Sequence, residues 1–327
     1  MATEVKPGGT TGTGAAGPVR SLVSKVRESV QKVIVGKSGP IDLALIALLS
    51  RGHVLIEDVP GTGKTTLSKA LAASLDCDFH RIQFTPDLVP GDVLGVNFYN
   101  MGKSEFEFRP GPIFSQILLA DEINRATPRT QSALLEAMQE GQASIDGVTS
   151  RLPTPFMVIA TLNPVEMEGT FPLPEAQLDR FFLRVSLGYP SRSEESDMLM
   201  RFRSGDASTL TPVAGPADIE EAQRAVEQVR VDDTVREYLL TIIEATRRHR
   251  QLRLGASPRA SLALQRAAQV HAAMGGRDYV LPDDVKALAA PVLSHRLVLD
   301  SAAQLRGQGR DAIVNEIAAS VPVPIER

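Results

Sequence analysis

The segment 54–66, VLIEDVPGTGKTT, joins a short apolar strand to a glycine-containing turn and then to an alanine-rich helix. Gly61 and Gly63 let the backbone curl so that successive N–H groups point inward, and the helix adds the positive end of its dipole. In such a turn Lys64 would reach the β and γ phosphates of a nucleotide, and the Thr65 hydroxyl would contact magnesium. The segment therefore predicts a phosphate-binding loop.

Asp58 departs from the strict pattern G-x-x-x-x-G-K-[ST], which has glycine at this position. The alternative interpretation is a glycine turn whose lysine only contacts solvent. We favour phosphate binding because strand, turn and helix follow one another in the order that the mechanism needs. The predicted nucleotide contacts of the loop are Pro60, Gly61, Thr62, Gly63, Lys64, Thr65 and Thr66.

Two adjacent carboxylates end the segment 117–122, ILLADE, whose four apolar residues are typical of a buried parallel strand. Ligands of open α/β sheets bind at the carboxyl ends of the strands, which is where these carboxylates would lie. Asp121 is predicted to hold magnesium, usually through water, and Glu122 to orient or deprotonate an attacking water. The alternative is a solvated acidic strand end.

A third apolar strand, in VIATLNP at 158–164, ends in Asn163. An asparagine at that position can hydrogen-bond both a water and a γ-phosphate, so it can sense whether the phosphate is present. By itself the signal is weak because Asn-Pro is a common turn pair. Its place after the other two motifs makes Asn163 a candidate site residue.

Two arginines are candidates for contacts with the same phosphates. Arg180, in PEAQLDRFF, lies just before a predicted strand. Arg259 follows Ser257 and Pro258, which are typical of a helix N-cap and first helical position. A cation in a first helical turn opposes the helix dipole, so Arg259 needs a nearby anion. That anion could be a phosphate or an ordinary carboxylate.

Other basic residues are interpreted as structural. The run 247–250, RRHR, with Arg253 could be a nucleic-acid patch, but a solvated helix end is favoured because no aromatic side chains are interleaved. His80 and Arg81 alternate along a strand and have no evident catalytic partner in the sequence.

Length and composition exclude several classes of protein. The 327 residues predict about two domains, and a net charge of −4 gives no general attraction to nucleic acid or to an anionic membrane. Cys77 is the only cysteine, so no intrachain disulfide or multi-cysteine zinc site can form, and a reducing cytoplasm fits. No apolar run approaches the ~20 residues that cross a bilayer. Residues 1–20 are Gly-rich and are predicted to be a disordered tail.

Strand and helix patterns alternate over residues 21–189 and predict an α/β domain with a parallel sheet. Residues 190–327 show helical periodicity and predict a small all-helical domain, joined through a turn at 188–191. Two stretches interrupt the α/β rhythm: 91–112 is expected to project from the sheet, and 141–153, with Asp146-Gly147, to form a hairpin. Ordinary surface loops are the alternative for both.

The ordered set GTGKTT, ADEINRA, TLNP, LPEAQLDRF and GASPRA resembles the MoxR family of AAA+ ATPases over residues 23–299. The set is highly specific, whereas the phosphate loop alone indicates only a P-loop NTPase. The resemblance implies a P-loop αβα sandwich with a parallel sheet (the AAA+ core), a small all-α C-terminal lid, and assembly into a ring, usually a homo-hexamer. It also implies ATP and Mg²⁺ as cofactors.

The resemblance assigns roles residue by residue. Lys64 and Thr65 correspond to Walker A, Asp121 and Glu122 to Walker B, and Asn163 to sensor 1. Asp58 is normal for this family.

For the remaining residues the resemblance implies that Arg180 is the arginine finger offered to the next subunit and Arg259 is sensor 2. Arg125 and Arg129 are rivals for the finger because they also follow the Walker B strand. Val35 and Gly36 lie where related proteins hold the adenine. The two interrupting stretches match the helix-2 insert and the pre-sensor-1 hairpin.

Three functions are compatible with these observations. The first is an ATP-hydrolysing ring that remodels protein complexes, often with a von Willebrand factor A domain protein as partner, as the resemblance implies. The second is a nucleic-acid motor, disfavoured by the acidic net charge and by a hairpin in which Arg151 is the only cation. The third is a nucleotide-gated scaffold with little turnover, and Glu122 argues against it because a pure binder needs no water-positioning carboxylate.

Overall fold

The computed structural model describes residue 14 and residues 16–163, 169–204 and 210–324. The first part of the chain contains α1 Ala16–Gln31, α2 Ser38–Leu49, β1 Val54–Glu57, α3 Lys64–Ser74, β2 Phe79–Gln83, α4 Pro90–Leu94, β3 Gly95–Asn100, β4 Glu105–Pro110, β5 Ile117–Asp121, α5 Pro128–Glu140, β6 Gln142–Ile145, β7 Val148–Arg151, β8 Met157–Leu162, α6 Glu175–Leu178 and β9 Leu183–Val185.

Five of these strands form one parallel sheet in the order β2-β5-β8-β1-β9. Side chains alternate between its two faces, so Leu55 packs on the α5 side while Val54 and Ile56 pack on the side of α1, α2 and α3. Both faces are buried, which explains why the strands are almost continuously apolar. The predicted αβα sandwich is confirmed.

Two antiparallel hairpins project from this sheet scaffold. Strands β3 and β4 pair over the stretch that was expected to project, and β6 and β7 pair over the predicted hairpin. Asp146 and Gly147, between β6 and β7, both have positive φ, 49° and 82°. Asp-Gly adopts such angles readily, which sets the register of this hairpin.

The second part of the chain contains α7 Arg192–Ser204, α8 Pro216–Val226, α9 Asp233–Arg248, β10 Leu252–Leu254, α10 Pro258–Met274, α11 Pro282–Leu293, β11 Val298–Leu299, α12 Ser301–Leu305 and α13 Arg310–Ser320. Short 3-10 turns occur at Ile123–Arg125 and Ser294–Arg296. The described residues of this part are helical, with one short antiparallel ladder between β10 and β11 and an isolated β-bridge between Arg230 and Tyr279. Its helices share a continuous apolar core with α1 and α2.

The N-terminal tail is shorter than the sequence suggested. Helix α1 begins at Ala16, and Val19 is completely buried, so residues 16–20 are ordered in a helix rather than in a tail. The carboxylate of Asp278 accepts a hydrogen bond from the Ala16 N–H at 2.7 Å, which places an anion at the positive end of the helix. Residues 1–13, the greater part of the predicted tail, lie outside the described residues.

Within the described ranges, no helix combines the length and apolar character that a bilayer crossing requires.

Candidate functional site

The predicted phosphate loop connects β1 to α3. Gly61 and Gly63 have φ of 83° and 92°, a left-handed conformation that glycine adopts without strain. Space is open where a Cβ would stand on either glycine. The first N–H groups of α3, from Lys64 onward, have no intrahelical acceptor. The turn therefore presents the backbone donors of a helix N-terminus, which fit a chain of phosphates.

The Lys64 ammonium lies over the loop and donates hydrogen bonds to the carbonyl oxygens of Asp58 (3.1 Å) and Val59 (3.4 Å). Among the described residues it has no carboxylate partner. Thr65, one residue further along the helix, is half-buried. The loop thus offers a cation held by neutral carbonyl groups, which is available to an anionic ligand.

Asp58 joins the loop to the end of the sheet. Its side chain is buried, and Oδ2 accepts hydrogen bonds from the backbone N–H groups of Leu187 (2.8 Å) and Gly188 (2.7 Å). Oδ1 accepts from Val59 N at 2.8 Å. Glycine could not make these bonds, so the departure from the generic pattern links the loop to the turn between the two parts of the chain.

The predicted adenine segment packs against the same turn. Gly36 has φ of 68°, and a Cβ there would collide with the carboxylate of Glu194 in α7. The Lys37 ammonium donates hydrogen bonds to three successive carbonyl groups, those of residues 187–189, at 2.6–3.1 Å. Val35 is half-buried beside it. The segment, the turn at 187–189 and the predicted phosphate loop are therefore linked by hydrogen bonds.

The predicted Walker B carboxylates lie at the carboxyl end of β5. Asp121 is buried, and its Oδ1 accepts from the hydroxyl of Thr161 on β8 at 3.2 Å. Its Oδ2 is 2.7 Å from Nε of Arg81 on β2. Glu122 has left-handed backbone angles (φ 56°, ψ 51°), unusual for a residue with a side chain, and its N–H donates to Thr161 Oγ1 at 2.8 Å. Such local strain is typical of functional positions.

Glu122 is held by two polar neighbours. Its Oε2 is 2.9 Å from Nε of Arg125 and accepts from Nε2 of Gln83 at 3.0 Å. Because Arg125 contacts the carboxylate of its own chain, the structure disfavours it as the residue that reaches a neighbouring subunit. Arg129, the other rival, is exposed.

Asn163 follows β8, which lies between β5 and β1 in the sheet. It is 4 % exposed. The sheet order therefore places Asn163 between the strand that ends in Asp121 and the strand that leads into the phosphate loop. Pro164 of the same motif lies outside the described residues.

The two remaining predicted residues are Arg180 and Arg259. Within the described ranges, no hydrogen bond or ion pair joins Arg180 or Arg259 to the phosphate loop or to the β5 carboxylates. Arg180 is half-buried and borders an open cavity of about 490 Å³, whereas Arg259 is exposed in the first turn of α10. Ser257 caps that helix, as predicted, by accepting from Ala260 N at 3.2 Å.

Sequence reasoning missed three residues that contact the site: Asp58, Arg81 and Gln83. Arg81 was interpreted as structural, yet it pairs with the predicted metal ligand. The contacts of Arg81 and Gln83 arise because β2 lies next to β5, with Gln83 in register with Asp121, and those of Asp58 arise because β9 lies next to β1. In the sequence, β2 and β5 are separated by α4 and the β3–β4 hairpin, and no local pattern shows that the two strands are neighbours in the sheet.

The donor set fits a magnesium ion that also binds a nucleotide. The described residues contain no cluster of three or more His, Cys, Asp or Glu side chains that could hold a metal by themselves. Magnesium in nucleotide sites is typically bound by one or two protein oxygens together with phosphates and water. Thr65 and Asp121 would supply those oxygens.

Comparison with known proteins identifies the family. Residues 53–183 match the model of the ATPase family associated with various cellular activities (AAA), and residues 244–317 match the AAA lid domain. The chain is 41 % identical to the chaperone MoxR1 of Mycobacterium tuberculosis, with 98 % of this chain and 86 % of that protein covered. It is 53 % identical to the uncharacterized protein YeaC of Bacillus subtilis, with 94 % and 96 % covered.

A solved structure has the same fold. The crystal structure of a candidate ATPase from Cytophaga hutchinsonii superposes with a TM-score of 0.89 at 38 % identity, covering 95 % of this chain and 97 % of that one. The identity to the relatives extends over nearly their whole length, and the fold agrees with both family models. The chain therefore belongs to the MoxR family of AAA+ ATPases.

Proposed function

We propose that this chain hydrolyses ATP with magnesium at the subunit interfaces of a ring, the homo-hexamer that is usual for its family, and uses the cycle to remodel protein complexes. The observation that carries the proposal is the convergence, at the carboxyl ends of β1, β5 and β8, of an open phosphate loop, two carboxylates and an amide. These are the parts that phosphoryl transfer requires.

In this proposal the backbone N–H groups of residues 60–66 and the Lys64 ammonium bind the phosphates, and Val35 and Gly36 border the adenine. Thr65 and Asp121 hold magnesium, which neutralises charge on the phosphates. Glu122 orients the attacking water, and Asn163 contacts both that water and the γ-phosphate. The left-handed backbone of Glu122 and its N–H bond to Thr161 support this role, because they fix the backbone position from which the carboxylate side chain extends.

Catalysis in trans is the second part of the proposal. The guanidinium of Arg180 makes no hydrogen bond or ion pair among the described residues, so it is available to another subunit. Arg259 acts within its own subunit and couples the phosphates to the lid. A finger supplied by a neighbour stabilises transition-state charge.

Remodelling of protein clients is supported by the β3–β4 hairpin. Its side chains Phe98, Tyr99, Met101 and Phe106 are exposed. Clustered exposed apolar side chains mark protein contacts. As a partner we propose a protein with a von Willebrand factor A domain, as is frequent in the family.

Two variants test the catalytic assignment. Lys64→Ala removes a cation that acts on ground-state phosphate charge, so we expect it to abolish productive ATP binding. Glu122→Gln keeps the phosphate loop intact, so we expect it to bind ATP normally and to release phosphate very slowly. Calorimetry gives the first quantity and a phosphate-release assay the second. Wild-type turnover in Glu122→Gln would refute the role of Glu122.

A further inference from the structure

The segment 179–182, which carries Arg180, is held by side chains of the helical second domain. These side chains are Ser257, His295 and Arg296. The segment is the connection between α6 and β9, and Arg184 of β9 bonds Asp311. The predicted finger is therefore attached to the lid of its own subunit.

Ser257 makes the first attachment. Its hydroxyl donates to the carboxylate of Asp179, 3.1 Å from each oxygen, and accepts from Ala260 N at the start of α10. One hydroxyl thus caps α10 and bonds the residue next to Arg180. Arg259 lies two residues further along the same helix. The hydrogen bond between Ser257 and Asp179 therefore joins the residue next to Arg180 to the helical turn that carries Arg259.

Arg296 makes the second attachment. Its side chain is 2 % exposed, and Nη1 donates to Asp179 Oδ1 at 2.9 Å. Nη2 donates to the carbonyl oxygens of Phe181 (2.6 Å) and Phe182 (2.9 Å). Burial lowers the pKa of Arg296 to about 10, which leaves the group charged at neutral pH. His295 Nε2 donates to Phe181 O as well, at 3.0 Å.

These bonds bracket Arg180 on both sides and leave its guanidinium without a partner among the described residues. Asp179 precedes it and Phe181 follows it, and both are bonded to the lid. The side chain borders the open cavity, whose walls include Glu136 and Glu140 of α5. The backbone of the finger is thus fixed while its charged end is available.

We propose that Asp179, Ser257 and Arg296 are positioning residues that make the finger segment follow the first turn of α10. Hydrogen bonds weaken steeply with small displacements, so a shift of that turn must either break these bonds or carry the segment with it. Nucleotide in a subunit's own pocket, sensed through Arg259, thereby sets the position of the finger that the subunit offers to its neighbour. The inference rests on the proposed function for the roles of Arg180 and Arg259.

A static arrangement is the competing account. Phe182 N donates to the carbonyl oxygen of His53 at 2.8 Å, and Phe181 is completely buried in the core beside α5. If these core contacts dominate, the segment stays with the sheet and the lid is merely docked against it. The two accounts differ in whether the segment responds to nucleotide.

Hydrogen exchange measured by mass spectrometry separates them. ATP is added to full-length Glu122→Gln, which is expected to bind without turnover, and exchange is compared at 58–66, 175–183 and 255–262. We expect all three regions to change. In Glu122→Gln with Asp179→Ala we expect the changes at 58–66 and 255–262 to remain and the change at 175–183 to be lost.

Asp179→Ala also removes one partner of Arg296, so a second variant in the same background is Ser257→Gly. Glycine is tolerated at helix N-caps, so this change removes the bond to Asp179 and keeps the start of α10. It should give the same loss. Asp311→Ala is the matched control. It breaks a different contact with the lid, the ion pair between Arg184 of β9 and Asp311 of α13, and should leave all three changes intact.

Every other outcome overturns the inference. A response at 58–66 without one at 175–183 or at 255–262, a response at 175–183 that survives either Asp179→Ala or Ser257→Gly, or its loss in Asp311→Ala would each refute the linkage and leave the ATPase proposal standing. The absence of any change at 58–66 would refute nucleotide binding, and the linkage would fall with it.

Discussion

The guanidinium of Arg81 and the carboxylate of Asp121 form an ion pair, with 2.7 Å between Nε and Oδ2. Asp121 is buried, and its other oxygen accepts from Thr161. Both oxygens of the predicted metal ligand are therefore engaged. A magnesium ion arriving at Asp121 has to compete with Arg81.

Replacing Arg81 with glutamine should strengthen magnesium binding. The Arg81 side chain is 48 % exposed, so the pair contributes no more than about 1 kcal/mol, and we expect the half-saturating Mg²⁺ concentration for ATP binding to fall by roughly two- to fivefold. Calorimetric titration with Mg²⁺ measures this. Arg81→Lys keeps the positive charge and should stay near wild type. A requirement for more magnesium in Arg81→Gln would show that the arginine assists the ion instead.

Asp58→Gly would restore the generic phosphate-loop pattern and should nevertheless harm the protein. It removes the acceptor of the Leu187 and Gly188 N–H groups, and leaving buried donors unpaired costs about 1–3 kcal/mol. We expect a lower midpoint of urea unfolding and faster proteolysis near 187–191. Asp58→Asn keeps one acceptor oxygen and should fall in between. Unchanged stability in Asp58→Gly would mean that the link is dispensable.

Stability should decrease in mild acid because of His53. Burial lowers the pKa of this histidine from 6.5 to about 4, and its ring bonds Met138 O and Val158 N as a neutral tautomer. Between those pH values the unfolded chain binds a proton that the native state does not. The free energy of unfolding contributed by His53 is therefore complete above pH 6.5 and is lost as pH falls towards 4, by up to about 3 kcal/mol.

Urea unfolding at pH 7.5 and at pH 5 measures this effect. His53→Gln cannot titrate, so its stability should change less between the two pH values than that of wild type. The buried His295 titrates in the same direction in both proteins and does not affect the comparison. Equal pH dependence in wild type and His53→Gln would contradict the account.

The sequence predicted the fold wherever local signals agreed with one another. The strands that end in Asp121 and Asn163 are short apolar runs bounded by polar residues, and Ser257 with Pro258 marks the start of α10. The parallel sheet followed from their alternation with helices. By contrast, β10 and β11 are only two or three residues long, too short to show a period.

The contacts that the sequence could not predict depend on tertiary neighbours. Arg81 reaches Asp121 because β2 is next to β5, and Asp58 reaches Gly188 because β9 is next to β1. Helix α1 extends back to Ala16 because Asp278, from the far end of the chain, caps it. Each partner is distant in sequence, and no local pattern records the pairing.

We propose that hydrolysis requires two subunits, one with the pocket and one with Arg180. Mixing two inactive proteins tests it most directly: Arg180→Ala keeps the pocket, and Lys64→Ala keeps the finger. A finger is worth roughly 10³ to 10⁵ in turnover, so each protein alone should be nearly inactive. Arg129→Ala mixed with Lys64→Ala is the control for the exposed rival arginine.

The measurement is the ATPase rate of the mixture at increasing protein concentration, with co-assembly followed by native mass spectrometry. We expect mixed assemblies of Arg180→Ala and Lys64→Ala to regain part of the wild-type rate, because some intact pockets then face intact fingers. Co-assembly without any recovery of the rate would contradict it.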